Sequence, residues 1–426
     1  MSKTDKKDIA KSLDLIKEWN KHLNGRIRDE KYKKMAQTPY YFYRGTNFLF
    51  WNYFSNDERL KKYGNDKTKT WIQADLHAYN FGIYDNEDGE LVYGLNDFDE
   101  ACVADYQFDI WRMAASMLLI AAENGFDDED KRFKFIESFT NGYLSVIENY
   151  RLNGSDVLFQ VNKKNAFGKL DEVLERTEKK EGREEMLRKW TKKENGKILF
   201  DTSYHKLADI SEIKKNEVIA AVEKYLQTLT HKIFPENYFK VIDVAQRISS
   251  GTGSYGTPRY YILINGSGKE NEQHILDAKF QYKPCAYSFL DDKFRKIHDS
   301  MFINEGQRHK EAYLALSAKV DPHLGWLELS EGIFSVRERS PFKSYFPTEI
   351  LTTETRFKKL AMQWGSVLAT AHIKGNKQFA HSDILDVSKQ MKKEFAEHVF
   401  SIAKEFVDYS NKAYDKFINK FFLNAN

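Results

Sequence analysis

Cysteine is scarce in this sequence: Cys102 and Cys285 are the two present in 426 residues. Two thiols cannot frame a disulfide scaffold, and neither stands at metal-ligand spacing from a histidine, so both are expected to be buried and free. Long apolar runs are missing as well. No stretch approaches the roughly 20 apolar residues that cross a bilayer, and the opening MSKTDKKDIAKSLDLIKEWN lacks the apolar region of a secretory leader. A cytoplasmic protein is the expectation, although export by a specialised secretion system would leave no mark here. Charge of one sign is not in excess either: 66 Lys and Arg against 63 Asp and Glu leave a net +3, which gives no bulk drive toward nucleic acid or membrane. Neither is expected as a partner. Internal repeats and low-complexity linkers are also absent.

The chain does have length and aromatic rings. At 426 residues it exceeds one typical domain, so two lobes with sizeable cores are expected, and 15% aromatic with 41% hydrophobic residues suits a globular protein. Its organising stretch is Trp71 to Ala101, WIQADLHAYNFGIYDNEDGELVYGLNDFDEA. It reads as a strand end, a polar turn holding Asp75, His77 and Asn80, and a hairpin whose arms FGIYD and ELVYGL flank the turn letters NEDG. A hairpin sets its two ends side by side, so Asp75 and Asn80 at the entrance face Asp97 at the exit. Carboxylates and an amide oxygen on one rim suit a hard cation such as Mg²⁺. Asp-x-x-x-x-Asn, a hairpin and an Asp-Phe pair is also the layout of kinase-like phosphotransferases. In that layout one Asp orients or deprotonates the acceptor hydroxyl, while the Asn and the later Asp hold metal against the nucleotide phosphates.

A second half of the same signature lies far downstream. Between a strand ending near Arg247 and another beginning near Arg259 stands Gly251-Thr252-Gly253-Ser254-Tyr255-Gly256, a full GxGxxG. A dinucleotide fold needs a helix directly after the third glycine, whereas TPRYYILI continues as a strand. Strand, glycine loop, strand is the arrangement that covers ATP phosphates in kinases. The next strand, HILDAKFQ, carries Lys279, and a helix from Phe302 to Leu316 carries Glu305 in its first turn. A strand Lys paired with a helix Glu positions the α- and β-phosphates.

Elsewhere the readings are structural. Residues 8 to 24 show helical spacing, with Ile9, Leu13, Ile16 and Trp19 on one face. Arg44, inside TPYYFYRGTNFLFWNYF, either clamps a phosphate with its planar fork or stacks on rings and pairs with an acid. FDIWRMAASMLLIAAENG is a buried central helix, where Asp109 serves as cap and as support for the Asp75 turn. The run from Asp171 to Lys197 is expected as a solvated helical surface. Helices are also expected over Glu212 to Leu229, over FKKLAMQWGSVLATAHIKG ending at Gly375, and over residues 383 to 422. The strand IFSVRE is expected to supply the linker where adenine sits.

The motifs YYFYRGTNF, ADLHAYNFG, LNDFDEA with FDIWRMAAS, RISSGTGSYGTPRYYILI, LDAKF, NEGQR, LGW, FSVRE and LATAH occur in the order found in the bacterial domain-of-unknown-function family 2252, which the chain resembles over most of residues 38 to 375. That family is placed in the protein-kinase-like superfamily beside the aminoglycoside phosphotransferases. The resemblance implies that Asp75 is the catalytic-loop Asp, Asn80 and Asp97 metal ligands, Lys279 the phosphate lysine and Glu305 its partner. Two departures stand out: Ala74 replaces a usual Gly, and the triplet Asp97-Phe98-Asp99 lacks its usual glycine, so Asp99 is an alternative or second ligand.

The expectation is an α+β, two-lobed protein-kinase-like fold in circularly permuted order. Residues 1–235 form a helical large lobe, 236–345 a small antiparallel-sheet nucleotide lobe, and 346–426 helices that complete the large lobe. The expected function is transfer of the ATP γ-phosphate, with Mg²⁺, to a hydroxyl of a small molecule or protein. The alternatives are a nucleotide-binding pseudokinase, AMP transfer on the same fold, and a metal phosphoesterase built from His77, Asp97 and Asp99.

Overall fold

The computed structural model describes residues 9–86, 88–153, 160–180, 182–230, 233–248, 251, 253, 255–269, 271–375 and 392–423. Helices α1 (Ile9–Trp19), α2 (Gly25–Met35), α3 (Pro39–Gly45) and α4 (Asn47–Phe54) come first. Side chains set their starts: Asn24 accepts from the Ile27 N–H and Thr38 from the Tyr41 N–H, with Pro39 where its missing donor is not needed. Strand β1 (Lys69–Ile72) leads into the Asp75 turn, and the hairpin β2 (Phe81–Asp85) and β3 (Leu91–Leu95) follows. β4 (Cys102–Asp105) then returns antiparallel to β1, so Ile72 faces Cys102 while Phe81 faces Leu95. Residues 73–80 and 96–101 are thereby fixed side by side between two strand pairings. This clamp is what the alternating apolar arms specify.

Helix α5 (Gln107–Glu123) is buried along nearly its whole length and α6 (Glu129–Asn153) packs beside it. β5 (Val161–Asn162) adds to β3. The charge run, expected as a solvated helical surface, is helical over most of its length, with exposed pairs such as Lys179–Glu175, and ends in a hairpin. It divides into α7 (Lys169–Lys180), α8 (Arg183–Trp190) and the hairpin β6 (Thr191–Glu194) and β7 (Lys197–Phe200). The turn residues Asn195 and Gly196 both have positive φ, the hairpin geometry that an Asn-Gly pair favours and that charge counting hides.

β8 (Leu207–Ala208), helix α9 (Glu212–Leu226), β9 (Val241–Arg247), β10 (Arg259–Ile264), β11 (His274–Phe280), helices α10 (Asp292–Met301) and α11 (Glu305–Leu316), β12 (Gly325–Leu329) and β13 (Gly332–Glu338) come next. The strands form one antiparallel sheet in the order β12-β13-β11-β10-β9-β8. Its faces bury separate cores, with Val218, Val222 and Tyr225 of α9 on one side and Leu187 and Trp190 of α8 on the other. The chain is thus mixed α+β with antiparallel sheets. Helices α12 (Glu354–Gly375) and α13 (Lys392–Ile418) join the larger core, which also holds Trp51, Trp111 and Trp364. The part of the expected C-terminal helix over 383–391 lies outside the described residues. No described helix is long and apolar enough to cross a membrane. Both cysteines are buried and free.

Candidate active site

The Asp75 turn is held from three sides. Asp109, in the first turn of α5, accepts from the backbone N–H groups of Gln73 and Ala74 at 2.7 and 2.8 Å. It supports the turn as expected, but α5 starts at Gln107, so Asp109 is not its cap. Asn47 and the indole of Trp51 donate to the Ala74 carbonyl at 3.1 and 3.0 Å. These four bonds hold Ala74 at φ 65°, a left-handed conformation that normally favours glycine. Helix α12 reaches the same place: the His372 carbonyl accepts from Thr70 at 2.9 Å, and the His372 ring lies 3.3 Å from Asp109.

The turn is tied to the hairpin exit through Gln73, which accepts from the Asp75 N–H and donates to the Asp97 carbonyl at 2.6 Å. The Asn80 amide nitrogen donates to the Asp75 carbonyl at 3.0 Å, turning its oxygen away from that carbonyl. Arg112 of α5, fully buried and stacked on Tyr43, donates to the Asp75 carboxylate at 3.0 Å through Nε and again through Nη2. Burial pushes Asp75 up to about 6 against the pull of Arg112, with the Asp97 charge adding to the rise. An ionised carboxylate with that pKa suits proton acceptance near neutrality. Sequence reading left Arg112 without a role; a lone guanidinium in the apolar run of α5 was the signal.

The expected Lys279–Glu305 ion pair does not form. Lys279 pairs with Asp99, while Glu305 is taken by Arg308, one turn along its own helix, and by His298 at 3.1 Å. Arg308 is the residue the sequence did not disclose. It is 0% exposed and donates to the carbonyls of Asp99, Ala101 and Tyr282 at 2.8, 2.8 and 3.2 Å, which fixes the Asp97–Asp99 segment. Glu305 therefore orients Arg308 and stands outside the walls of both chambers described below.

Asp97 and Asp99, the two candidate ligands, differ in their partners. Both Asp99 oxygens are engaged, one by Lys279 and the other by Gln281 at 3.0 Å with the His309 ring at 3.6 Å. Burial would raise Asp99, but Lys279 and His309 hold it well below the usual carboxylate range. The Asp97 carboxylate has no hydrogen-bond or ion-pair partner among the described residues. Asp97 and the Asn80 oxygen are hard donors of the kind that suit Mg²⁺, whereas Asp99 is already paired with Lys279.

The glycine loop connects β9 to β10 as expected, and Thr252 and Ser254 lie outside the described residues. Gly251 and Gly253 line the cleft with Asp75, Asn80, Asp97 and Lys279. Gly256 has another purpose: at φ 84° its missing Cβ would lie 2.7 Å from Ile27 of α2, so the third glycine admits a helix and not a phosphate. The Tyr255 hydroxyl also donates to Glu30 of α2 at 2.6 Å. Arg44 takes the stacked form, 4.7 Å from the Tyr79 ring, while its buried Nε has no hydrogen-bond partner among the described residues.

Two chambers meet at Asn80, Asp97, Asp99, Lys279, Gly251 and Arg44. One of ≈ 340 Å³ runs along β13, where Arg259, Arg337 and Lys343 join Lys279 and Arg44, and Arg259 pairs with Asp277. This wall is charged, and IFSVRE, the strand expected to supply the linker where adenine sits, contributes Ser335 and Arg337 to it. Burial and the guanidiniums of Arg337 and Arg259 hold Lys343 well below the usual lysine range, so the cations there repel one another. The other chamber, ≈ 690 Å³, holds Asp75 and is walled by aromatic residues of α1 and α4.

His77, the candidate phosphoesterase ligand, is buried, and burial with Arg44 and Arg112 keeps it neutral. Among the described residues, His77, Asp97 and Asp99 do not bring their ligand atoms within 4.8 Å of one another. His274, His323 and Glu338 do, but the Arg183 guanidinium sits 2.6 Å from Glu338 and 3.0 Å from His274. A bound cation would meet that fixed positive charge.

No curated protein and no solved structure matches the chain. The family model described as an uncharacterized protein conserved in bacteria, DUF2252, matches residues 26–420. With nearly all of its length inside that match, the chain belongs to the DUF2252 family.

Proposed function

We propose that this protein is a kinase-like phosphotransferase that moves the γ-phosphate of Mg²⁺-bound ATP to a hydroxyl, on a fold circularly permuted relative to kinases. The observation that carries this is the convergence in one cleft of Asp75, Asn80 and Asp97 with Gly251, Gly253 and Lys279, from chain segments about 180 residues apart.

The two chambers divide the task. The cation-rich one along β13 complements a triphosphate, and Asp75, which lines the larger chamber alone, faces the acceptor side. Asp97 and Asn80, at the junction of the chambers, would hold Mg²⁺, which when bound would neutralise charge on the transferring group. Asp75 receives the acceptor proton as the hydroxyl oxygen bonds to the γ-phosphorus. The bond from that phosphorus to the bridging oxygen breaks, and ADP leaves with the electron pair. Arg112 holds the Asp75 carboxylate in place through this step.

Thermal denaturation with and without Mg²⁺ and ATP tests the binding half, since a ligand that binds only the folded chain raises its melting temperature. Incubation of the full chain with γ-labelled ATP and a metabolite mixture tests transfer. Binding with no labelled product or released phosphate would leave an interaction module in place of an enzyme. No melting shift at millimolar nucleotide would remove the proposal.

A further inference from the structure

We propose that the larger chamber receives a small acceptor bearing an anionic group, a carboxylate or phosphate, which pairs with Lys31 while an apolar body lies against the stacked rings of Trp19, Phe48 and Phe289. This rests on the phosphotransferase reading for the word acceptor, and on geometry for the rest.

Lys31 of α2 lines the chamber and is 4% exposed. Its ammonium makes no hydrogen bond or ion pair among the described residues. The acid that acts on it most, Glu100, accepts the Cys285 backbone N–H at 2.5 Å and forms no ion pair with Lys31. An ammonium removed from water with no partner is costly, and its retention points to an anion that is not part of the chain. Burial lowers Lys31 to about 8 and Glu100 offsets part of that fall, so the amine is mainly protonated at neutral pH.

The surrounding walls select the rest of the molecule. Trp19 stacks on Phe48 at 5.1 Å and on Phe289 at 5.8 Å, a layered apolar surface rather than a polar groove. Lys31, Glu100 and Asp75 line the same chamber, where the charge of Glu100 acts on Lys31 and that of Asp75 on Glu100. A ligand anchored at Lys31 thus extends its hydroxyl toward Asp75. Helix α2 is fastened to the glycine loop through Glu30–Tyr255 and Ile27–Gly256, which fixes the position of Lys31, and the ≈ 690 Å³ chamber matches a small molecule.

The test uses the full chain without nucleotide. Matched probes, 3-phenyllactate against 3-phenylpropane-1,2-diol and phenyl phosphate against phenol, are titrated while tryptophan fluorescence and saturation-transfer signals are followed. The anionic member of at least one pair should bind about tenfold tighter than its neutral partner. Lys31→Met should abolish that preference and Lys31→Arg should keep it. Lys31→Met should also melt above the native chain, because an unpaired buried charge is removed. Equal binding of every pair, a preference that survives Lys31→Met, or a lower melting point for that variant would overturn the proposal. Because no nucleotide is present, a negative result leaves ATP binding intact, and failure of ATP to bind leaves the anion result standing.

Discussion

Lys279 of β11 and Asp99 of the hairpin exit form an ion pair across 180 residues of sequence, in the wall that both chambers share. The pair joins the six-stranded sheet to the Asp75–Asp97 platform at the point of proposed transfer. Lys279 is held above the usual lysine range because the attraction of Asp99 and Asp97 outweighs burial.

Breaking one side of that pair should cost more than removing both. Asp99→Asn leaves a buried ammonium short of its counter-charge, and such losses run to about 3–5 kcal/mol. The double variant Asp99→Asn with Lys279→Met should recover a large part of it. Urea midpoints of the two single variants and the double variant measure the coupling. Strict additivity would mean that the two groups contribute independently.

Ala74 carries backbone strain at a position where glycine has none. A left-handed residue with a Cβ costs roughly 1–2 kcal/mol, and glycine returns part of any gain through unfolded-chain entropy. Ala74→Gly should therefore be neutral or stabilising by up to about 1 kcal/mol, whereas Ala74→Val should destabilise by about 1–3 kcal/mol. Melting temperatures of both variants decide it. Loss of stability in the glycine variant would show that the methyl group packs more than it strains.

These residues also mark how much could be read from the sequence. The hairpin, β9 to β11, the glycine loop and the ends of α5 and α12 announce themselves by alternation, turn letters and helical spacing, which are local signals. That Asp75, Asn80 and Asp97 meet in one cleft is legible for that reason, because one hairpin sets their relation. The Lys279–Glu305 pair was misjudged because its partners were assigned by analogy, and only folding reveals that Arg308 is nearer to Glu305 and Asp99 nearer to Lys279. Arg112 and Arg308 were missed for the same cause. Their acceptors are carboxylates and carbonyls brought close in space, and no spacing rule encodes them.

Stability should fall as pH rises through the weakly acidic range. Burial, then the charge of Asp75, pushes Glu100 up to about 7, and burial pushes Asp75 up to about 6. In the unfolded chain both ionise near pH 4, so between about pH 4 and 7 the folded state binds more protons and is favoured by acid. Glu100→Gln removes its share, on the order of 3 kcal/mol for a shift of about 2.5 units. The variant should gain on the native chain between pH 5 and pH 8 in urea unfolding. A constant difference across that range would refute the assignment.

The roles of Asp97 and Asp75 separate in a paired measurement of binding and transfer. Asp97 has a carboxylate without a partner among the described residues and stands with Asn80 at the junction of the chambers, so it is the proposed metal ligand. Asp75 is held by Arg112 on the acceptor side and is proposed to take the proton. Asp97→Asn should therefore lose the Mg²⁺-dependent part of the ATP melting shift, which reflects about 2.7 kcal/mol at a ligand concentration a hundredfold above Kd. Asp75→Asn should keep that shift and lose phosphoryl transfer by about 10²–10⁴-fold, the usual weight of a general base. Differential scanning fluorimetry with ATP, alone and with Mg²⁺, reads the first effect, and labelled γ-phosphate reads the second. If both variants lose nucleotide binding equally, the division of labour between the two carboxylates is wrong, because Asp75 would then belong to the nucleotide site as fully as Asp97 does.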